Sequence, residues 1–254
     1  MSIKKTHLNY LKQFMKNDLN GIEIINGVPK VVFIMWFSHK DYIPEFSVRR
    51  FNALQSLITN LKVPIIIITN ENYKFWEIKE HPIHEGFNYL SGVHKSDYLR
   101  VYLLYHYGGG YHDIKWREKT WEIEWEKFMN PNIWLVGRRE LKADYIAYDP
   151  EKDEKWVQNE FNKLITMGWV ISRPNNEIMQ ILLNKINLKL DNKLNMLKLK
   201  PAPYSRCGIG NGCNEDEYAL RWLELLGEII HPLLLNYTEH IDFTLPDILY
   251  KTYK

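Results

Sequence analysis

Two continuously apolar segments near the start of the chain predict buried β-strands. Residues 31–37 read Val-Val-Phe-Ile-Met-Trp-Phe, and residues 63–69 read Val-Pro-Ile-Ile-Ile-Ile-Thr. Between them, residues 44–61 carry apolar side chains at helical spacing. A strand–helix–strand order in which both strands are apolar on both faces is typical of a parallel βαβ unit. The pattern therefore predicts an α/β fold with a mostly parallel central sheet.

The ends of these two strands mark a candidate ligand site. Ligands of open parallel sheets bind beyond the carboxyl ends of the strands. Trp36 and Phe37 end the first strand, and Asn70 follows the second. We therefore expect these residues to lie beside a ligand.

Later elements are indicated by weaker patterns. Strands are predicted at residues 133–136 and 169–172, and helices at residues 156–167, 176–190 and 216–226. Residues 200–214 are rich in glycine and proline, which predicts a loop that is either a mobile lid or a plain surface loop. No repeat or flexible linker divides the chain, so residues 1–254 are expected to form one domain.

Composition narrows the class of protein. Hydrophobic residues make up 45% and charged residues 25%, as in ordinary globular proteins, and the net charge of +2 gives no reason to expect a nucleic-acid partner. No apolar run approaches the ~18 residues of a membrane span, and no signal peptide is visible. Cys207 and Cys213 are interpreted as free thiols, which favours a cytoplasmic protein. Aromatic residues, at 14%, fit an aromatic core or sugar stacking.

The most informative segment is residues 95–115. Ser96 is a suitable helix N-cap, and the apolar stretch that follows predicts a buried helix that ends at Gly108. Asp97 and Arg100 are three residues apart, so they share one face of this helix. They form either a structural ion pair or a pair that faces a ligand.

A short strand is predicted after the glycines, at residues 111–116. Asp113 lies in this strand, and side chains two residues apart in a strand point to the same side. Asp113 and Lys115 are therefore expected to lie together.

This segment resembles glycosyltransferase family 32, the sugar transferases with a DXD motif, which include yeast-type α-mannosyltransferases and capsular polysaccharide synthesis enzymes. The resemblance covers residues 28–115, interpreted as the nucleotide-sugar-binding core. The matching positions of the helix and its following strand are Ser96, Asp97, Arg100, Leu104, Gly108, Gly109, Tyr111 and Asp113. The strand that contains Trp36 is also similar to the first strand of the family.

The resemblance implies a GT-A-like, Rossmann-like fold and assigns roles to residues. Asp97 and Arg100 would bind donor sugar hydroxyls and ribose, Trp36 would lie by the base, and Asp113 would reach a divalent metal on the diphosphate. We assign these three charged residues as catalytic. The donor-binding residues are taken to be Trp36, Phe37, Asn70, Ser96, Gly108, Gly109 and Lys115.

One departure from the family pattern concerns the metal. The second acid of the DXD motif is Lys115 here. Mn²⁺ and Mg²⁺ prefer oxygen ligands, whereas an ammonium repels cations and binds phosphate. We expect a weakly held metal on Asp113 and a late residue, His240; the alternative is that Lys115 supplies part of the positive charge.

The resemblance implies a glycosyltransferase that moves a sugar from a UDP- or GDP-sugar to a glycan or another hydroxyl acceptor, with retention at the anomeric carbon. An inactive nucleotide-sugar-binding protein and a sugar-phosphate transferase are the alternatives. Trp116, Trp121 and Trp125 either wall the acceptor site or form a packed helix face.

Overall fold

A six-stranded sheet forms the centre of the protein, and the computed structural model describes residues 3–248. The strands are β1 (Val32–Trp36), β2 (Ile65–Thr69), β3 (Gly109–His112), β4 (Leu135–Arg139), β5 (Ile165–Ser172) and β6 (Ile241–Asp242). Their order across the sheet is β6-β4-β5-β3-β1-β2. β5 runs antiparallel to β3 and β4, whereas the other neighbouring pairs are parallel. The prediction of a mostly parallel α/β sheet is confirmed.

Helices and short turns connect the strands. The α-helices within residues 3–248 are α1 (Ile3–Lys12), α2 (Val48–Asn60), α3 (Gly92–His106), α4 (Glu177–Leu199) and α5 (Gly227–Leu234). Short 3₁₀ segments occupy Tyr73–Trp76, Glu85–Tyr89, Glu124–Met129, Ala143–Tyr145, Lys155–Lys163 and Thr238–His240. Two small strand pairs join Ile24–Ile25 to Val28–Pro29 and Gly208–Ile209 to Gly212–Cys213. None of these helices combines the length and apolar character that crossing a bilayer requires.

The sheet is buried on both faces. Along β1, Phe33 and Met35 pack with α3, α4 and α5, while Val32 and Ile34 pack with α2 on the opposite face. Successive side chains of a strand point to opposite faces, so an unbroken apolar run is the pattern that fills two cores. This packing explains why the apolar segments predicted the strands.

α3 begins and ends at polar or flexible residues. The Ser91 hydroxyl accepts a hydrogen bond from the His94 backbone N–H and caps the N-terminus. Gly108 and Gly109 follow the helix with φ of 71° and 89°, a conformation in which a side chain is strained. A Cβ on Gly108 would lie 2.6 Å from Cδ of Pro174. This turn directs the chain from α3 back into β3.

Three local predictions were wrong. Ser96 is not the N-cap: its hydroxyl donates to the carbonyl of Gly92 inside the helix, since α3 begins one turn earlier than expected. Residues 216–226 form turns, and the helix in this region is α5. The helix expected at residues 156–167 is a 3₁₀ segment that gives way to β5.

The two cysteines are also paired rather than free. Cys207 and Cys213 form a disulfide with a Cα–Cα distance of 5.4 Å. Gly210 and Gly212 lie between them with φ of 84° and 90°, which lets the chain turn back within a few residues. The disulfide therefore closes the loop at residues 200–214.

Candidate active site

α3 presents one acid and one base beside the carboxyl end of β3. Arg100 Nη2 donates to Asp97 Oδ1 at 3.1 Å, and Arg100 Nη1 donates to the carbonyl of Met167 in β5 at 2.7 Å. Both side chains are mostly buried, with 7% of Arg100 and 12% of Asp97 exposed. The i, i+3 spacing explains this pairing.

β3 carries a second acid to the same guanidinium. The Tyr111 hydroxyl accepts from Arg100 Nη2 at 3.1 Å and donates to Asp113 Oδ1 at 2.8 Å. Asp113 Oδ1 also lies 3.6 Å from Arg100 Nη2. Tyr111 therefore links Arg100 of α3 to Asp113, the acid that follows β3. The sequence shows Tyr111 as a match to the family motif but does not reveal this linking role.

Lys115 faces this cluster. Its Nζ lies 3.2 Å from Asp113 Oδ2 and 5.1 Å from the ring centroid of Trp169. Asp113 and Lys115 lie together as expected, but the predicted strand at residues 111–116 was wrong: β3 ends at His112, and the Lys115 backbone N–H donates to the Asp113 carbonyl in a turn. Gly168 leaves room for the acid, since a Cβ there would lie 3.2 Å from Asp113 Oδ2.

The pKa values of the two acids move in opposite directions. Burial raises the pKa of Asp97 to about 6, although the charge of Arg100 opposes this shift. Burial also acts to raise the pKa of Asp113, but Lys115, Arg100 and the Tyr111 hydroxyl outweigh it and lower that pKa to about 2. Asp113 is thus firmly ionised, while Asp97 titrates close to neutrality.

A third acid at this edge was not foreseen. Glu140 follows β4, and burial raises its pKa, against a hydrogen bond from Thr166 and the charge of Lys115. The backbone N–H of Glu140 donates to the carbonyl of Leu164 just before β5. Because it lies in a segment without a recognisable motif, only the strand order brings Glu140 to the site.

Of the predicted donor-binding residues after β1 and β2, Trp36 and Asn70 lie at this edge, whereas Phe37 is buried. Trp36 Nε1 donates to the carbonyl of Pro44, and its ring stacks on Phe46 at 4.4 Å. The Asn70 amide accepts from the Ser38 backbone N–H and so holds the loop after β1. Phe37 is 4% exposed and lies in the core, where its ring makes edge-on contacts with the rings of Tyr73 and Phe87.

Other predicted site residues lie elsewhere. Gly108 and Gly109 form the turn at the amino end of β3, and Ser96 is bonded within α3. His240 precedes β6, whose first residue pairs with the first residue of β4, so it lies at the amino edge of the sheet. There it stacks on Trp134 with ring centroids 3.7 Å apart. The strand order therefore separates His240 from Asp113.

The residues at this edge fit a divalent metal poorly. Both oxygens of Asp113 are engaged, one by Tyr111 and one by Lys115. No group of three or more His, Cys, Asp or Glu side chains able to hold a metal occurs between residues 3 and 248. A Mg²⁺ or Mn²⁺ site requires several oxygen ligands, whereas here an ammonium occupies the place beside the carboxylate.

The tryptophans after the motif belong to the core. Trp121 and Trp125 are fully buried on the α2 face of the sheet, and Trp125 Nε1 donates to the carbonyl of Pro29 at 2.8 Å. The packed interpretation of this pair is confirmed, and the acceptor-wall interpretation is wrong.

A Rossmann-like sheet with a charged cluster at its carboxyl edge defines the class of ligand-binding α/β proteins that includes the GT-A fold. The sequence model of the family described as capsular polysaccharide synthesis protein matches residues 2–187 of the 254 in this chain. The chain therefore belongs to that family, which indicates a glycosyltransferase-type enzyme of polysaccharide biosynthesis. No curated protein sequence matches the chain. The capsular branch of the resemblance is confirmed, while the assignment to family 32 stays a prediction.

Proposed function

We propose that the protein transfers a sugar from a nucleoside-diphosphate sugar to a hydroxyl of a growing glycan, with retention at the anomeric carbon. The observation that supports this most strongly is the cluster of Asp97, Arg100, Tyr111, Asp113 and Lys115 at the carboxyl edge of the sheet. The whole cluster lies inside the matched region of the family. A buried charge pair is a poor stabiliser of a fold, so its placement at a ligand edge favours a binding role.

Asp97 and Arg100 are proposed to hold the donor sugar. A carboxylate accepts hydrogen bonds from sugar hydroxyls, and a guanidinium donates to them. Arg100 is anchored by the carbonyl of Met167 and by Tyr111, so its fork has little freedom to move. A pre-oriented grip of this kind lowers the barrier by positioning the anomeric carbon relative to the acceptor.

Lys115 is proposed to face the departing diphosphate in place of a metal. Sugar transfer leaves negative charge on the phosphate oxygens, and a fixed cation stabilises that charge in the transition state. Asp113 holds Lys115 in place through its ion pair and is itself kept ionised, with a pKa of about 2. Asp113 is therefore a positioning residue for both Lys115 and Arg100.

A ligand screen tests the donor class. The parent and Arg100→Lys are heated with UDP-, GDP- and other nucleotide sugars, and the unfolding midpoint is recorded. A donor at 100 times its dissociation constant stabilises the parent by about 2.7 kcal/mol. Arg100→Lys is expected to lose most of this stabilisation because lysine lacks the planar guanidinium fork. Arg139→Lys, at an exposed position, is the control and is expected to be stabilised by the donor as much as the parent is. Equal stabilisation of the parent and Arg100→Lys would remove Arg100 from the donor site.

Chelation tests the role of Lys115. The parent is expected to keep its turnover in excess chelator, and Lys115→Met is expected to lose about 100-fold, a barrier increase of about 2.7 kcal/mol. Lys119→Met, an exposed lysine on the same connection, serves as the matched control and keeps the parent rate. Complete loss of parent activity in chelator, with recovery on adding Mn²⁺, would instead establish a metal-dependent enzyme.

A further inference from the structure

Lys95 is a largely buried lysine that forms no ion pair within residues 3–248. It lies in the first turn of α3 and is 4% exposed. Within residues 3–248, no hydrogen-bond acceptor or carboxylate lies within contact distance of its ammonium, whose Nζ is 5.6 Å from the centroid of the Phe87 ring. Burial lowers the pKa of Lys95, against the attraction of Asp41. Burial disfavours the ammonium here, so an anion that contacts Lys95 Nζ would offset that cost.

His39 adds a second unsatisfied group beside Lys95. It follows β1, and its Nδ1 lies 3.4 Å from the hydroxyl of Ser205 in the disulfide-closed loop. Its Nε2 is buried without a hydrogen-bond partner among the described residues. Burial lowers the pKa of His39, and the charges of Lys40 and Lys95 lower it further. Its lowered pKa favours the neutral ring, and none of residues 3–248 satisfies the Nε2 nitrogen.

The junction of α3 and β1 brings these two side chains together. The helix starts so close to the strand that a Cβ on Gly92 would lie 2.2 Å from the carbonyl oxygen of Phe37. The Val93 backbone N–H donates to the carbonyl of Ser205, which fixes the disulfide loop over the same junction. The junction thus lies at the carboxyl edge of the sheet, on the same helix as Asp97 and Arg100.

The charged cluster alone does not neutralise the negative charge of a donor diphosphate. Asp97 and Asp113 balance Arg100 and Lys115, and Glu140 adds a third acid, so the cluster has no excess positive charge. A diphosphate brings at least two further negative charges, and an unpaired ammonium is the complementary group. Lys95 lies two residues before Asp97 on α3 and therefore on a different face of the helix, where it can contact a part of the donor that extends beyond the cluster.

We propose that Lys95, together with His39, forms an anion subsite that holds the diphosphate of the nucleotide-sugar donor. This inference rests on the proposed function. The ammonium binds phosphate oxygens, and the ring N–H of His39 donates to one of them in the tautomer protonated at Nε2. Lys95 and Lys115 then act on the same ligand from α3 and from the segment after β3.

Calorimetric titration of the full chain tests the subsite. The probes are UDP, GDP, uridine, guanosine and inorganic pyrophosphate, and the proteins are the parent, Lys95→Met and Lys79→Met. Lys79 is an exposed lysine and provides the matched control. Lys95→Met is expected to weaken binding of the favoured nucleoside diphosphate about tenfold while the affinity for its nucleoside stays unchanged. Its unfolding temperature is expected to equal or exceed that of the parent, because an unpaired buried charge is removed. Inorganic pyrophosphate shows whether the subsite binds a diphosphate group by itself or only as part of a nucleotide.

Each outcome decides the question. A second variant, His39→Gln, keeps a hydrogen-bond donor but changes its position. It is expected to weaken binding of the nucleoside diphosphate more than binding of the nucleoside. This variant tests the subsite even if Lys95→Met folds poorly. Nucleoside diphosphate affinity of Lys95→Met within twofold of the parent would overturn the subsite while leaving the proposed function intact. An equal loss for nucleoside and nucleoside diphosphate would overturn it as well, since that result indicates a structural role. A parent that binds none of the nucleotides would overturn both the subsite and the donor class.

Discussion

Asp97 and Asp113 contact the same guanidinium, yet their pKa values differ because their surroundings differ. Asp97 Oδ1 lies 3.1 Å and Asp113 Oδ1 lies 3.6 Å from Arg100 Nη2. Asp113 also has Lys115 and Tyr111, which stabilise its charge. Asp97 has one cation and is disfavoured by burial and by the nearby charge of Asp113. The two acids therefore affect stability in opposite pH ranges.

The raised pKa of Asp97 gives a stability prediction. In the folded chain this pKa is about 6, compared with 3.8 for an unperturbed aspartate. Folding therefore favours the protonated acid, and the associated stability is present below pH 3.8 and is lost as the pH rises through about 6. Asp97→Asn removes this loss. At pH 7.5 the variant is expected to match the parent or to exceed it by about 1–3 kcal/mol.

Urea unfolding of the parent and Asp97→Asn from pH 5 to pH 8 measures this effect. The difference is expected to grow with pH and to level off above about 6. Asp113 is expected to act in the acid range, since its pKa of about 2 gives stability that is present above pH 3.8 and lost as the pH falls towards 2. A variant Asp97→Asn that is less stable than the parent at pH 8 would show that the ionised pair stabilises the fold.

At the scale of elements, the turn between α3 and β3 determines where Asp113 is placed. Gly108 has a φ of 71°, and a Cβ there would overlap Pro174. Gly108→Ala is therefore expected to combine backbone strain with a steric clash and to cost about 2–5 kcal/mol. Gly21 provides the control, because it has a φ of 76° and a Cβ added there would meet no atom within 4 Å.

The comparison separates strain from packing. Gly21→Ala is expected to cost only about 1–2 kcal/mol, since it retains the strain and lacks the clash. Chemical denaturation of both variants measures the two costs, with an unchanged m-value confirming that the unfolding reaction is the same. Equal destabilisation of the two variants would mean that Pro174 yields to the new methyl group.

Some elements follow from local pattern and others depend on the strand order. The apolar runs of β1 and β2 and the i, i+3 pairing of Asp97 with Arg100 are set by spacing along the chain, so the sequence predicts them. The helix start was misplaced because Ser91 and Ser96 carry the same local capping signal. Ser91 also makes a tertiary contact, since its backbone N–H donates to the Tyr218 hydroxyl, and a short segment does not encode such a contact.

At the scale of the whole molecule, topology decides which distant residues reach the site. The antiparallel strand β5 lies between β3 and β4 and brings Met167 and Gly168 to Arg100 and Asp113. The same order puts His240 at the opposite edge. Neither placement could be predicted, because an antiparallel strand inserted into a parallel sheet leaves no periodic signal of its own. The disulfide was also not predicted, because it depends on the conformation that Gly210 and Gly212 adopt in the loop.

The family match and the charged cluster also agree at this scale. The matched region ends at residue 187, so it contains the cluster, the anion subsite residue Lys95 and most of the sheet. Residues beyond the match supply β6, α5 and the disulfide loop that contacts the start of α3. The donor half of the proposed reaction therefore lies within the family region.

Turnover of Asp97→Asn tests the central claim most directly. The substrate is the nucleotide sugar that stabilises the parent most in the thermal screen. Release of its nucleoside diphosphate is measured for the parent, for Asp97→Asn and for Asp144→Asn, which replaces an exposed aspartate. We expect Asp144→Asn to keep the parent rate and Asp97→Asn to lose about 100-fold, equivalent to about 2.7 kcal/mol, while its unfolding midpoint at pH 7.5 is no lower than that of the parent. A stable Asp97→Asn that releases nucleoside diphosphate within twofold of the parent rate would contradict the assignment of this cluster as the donor site.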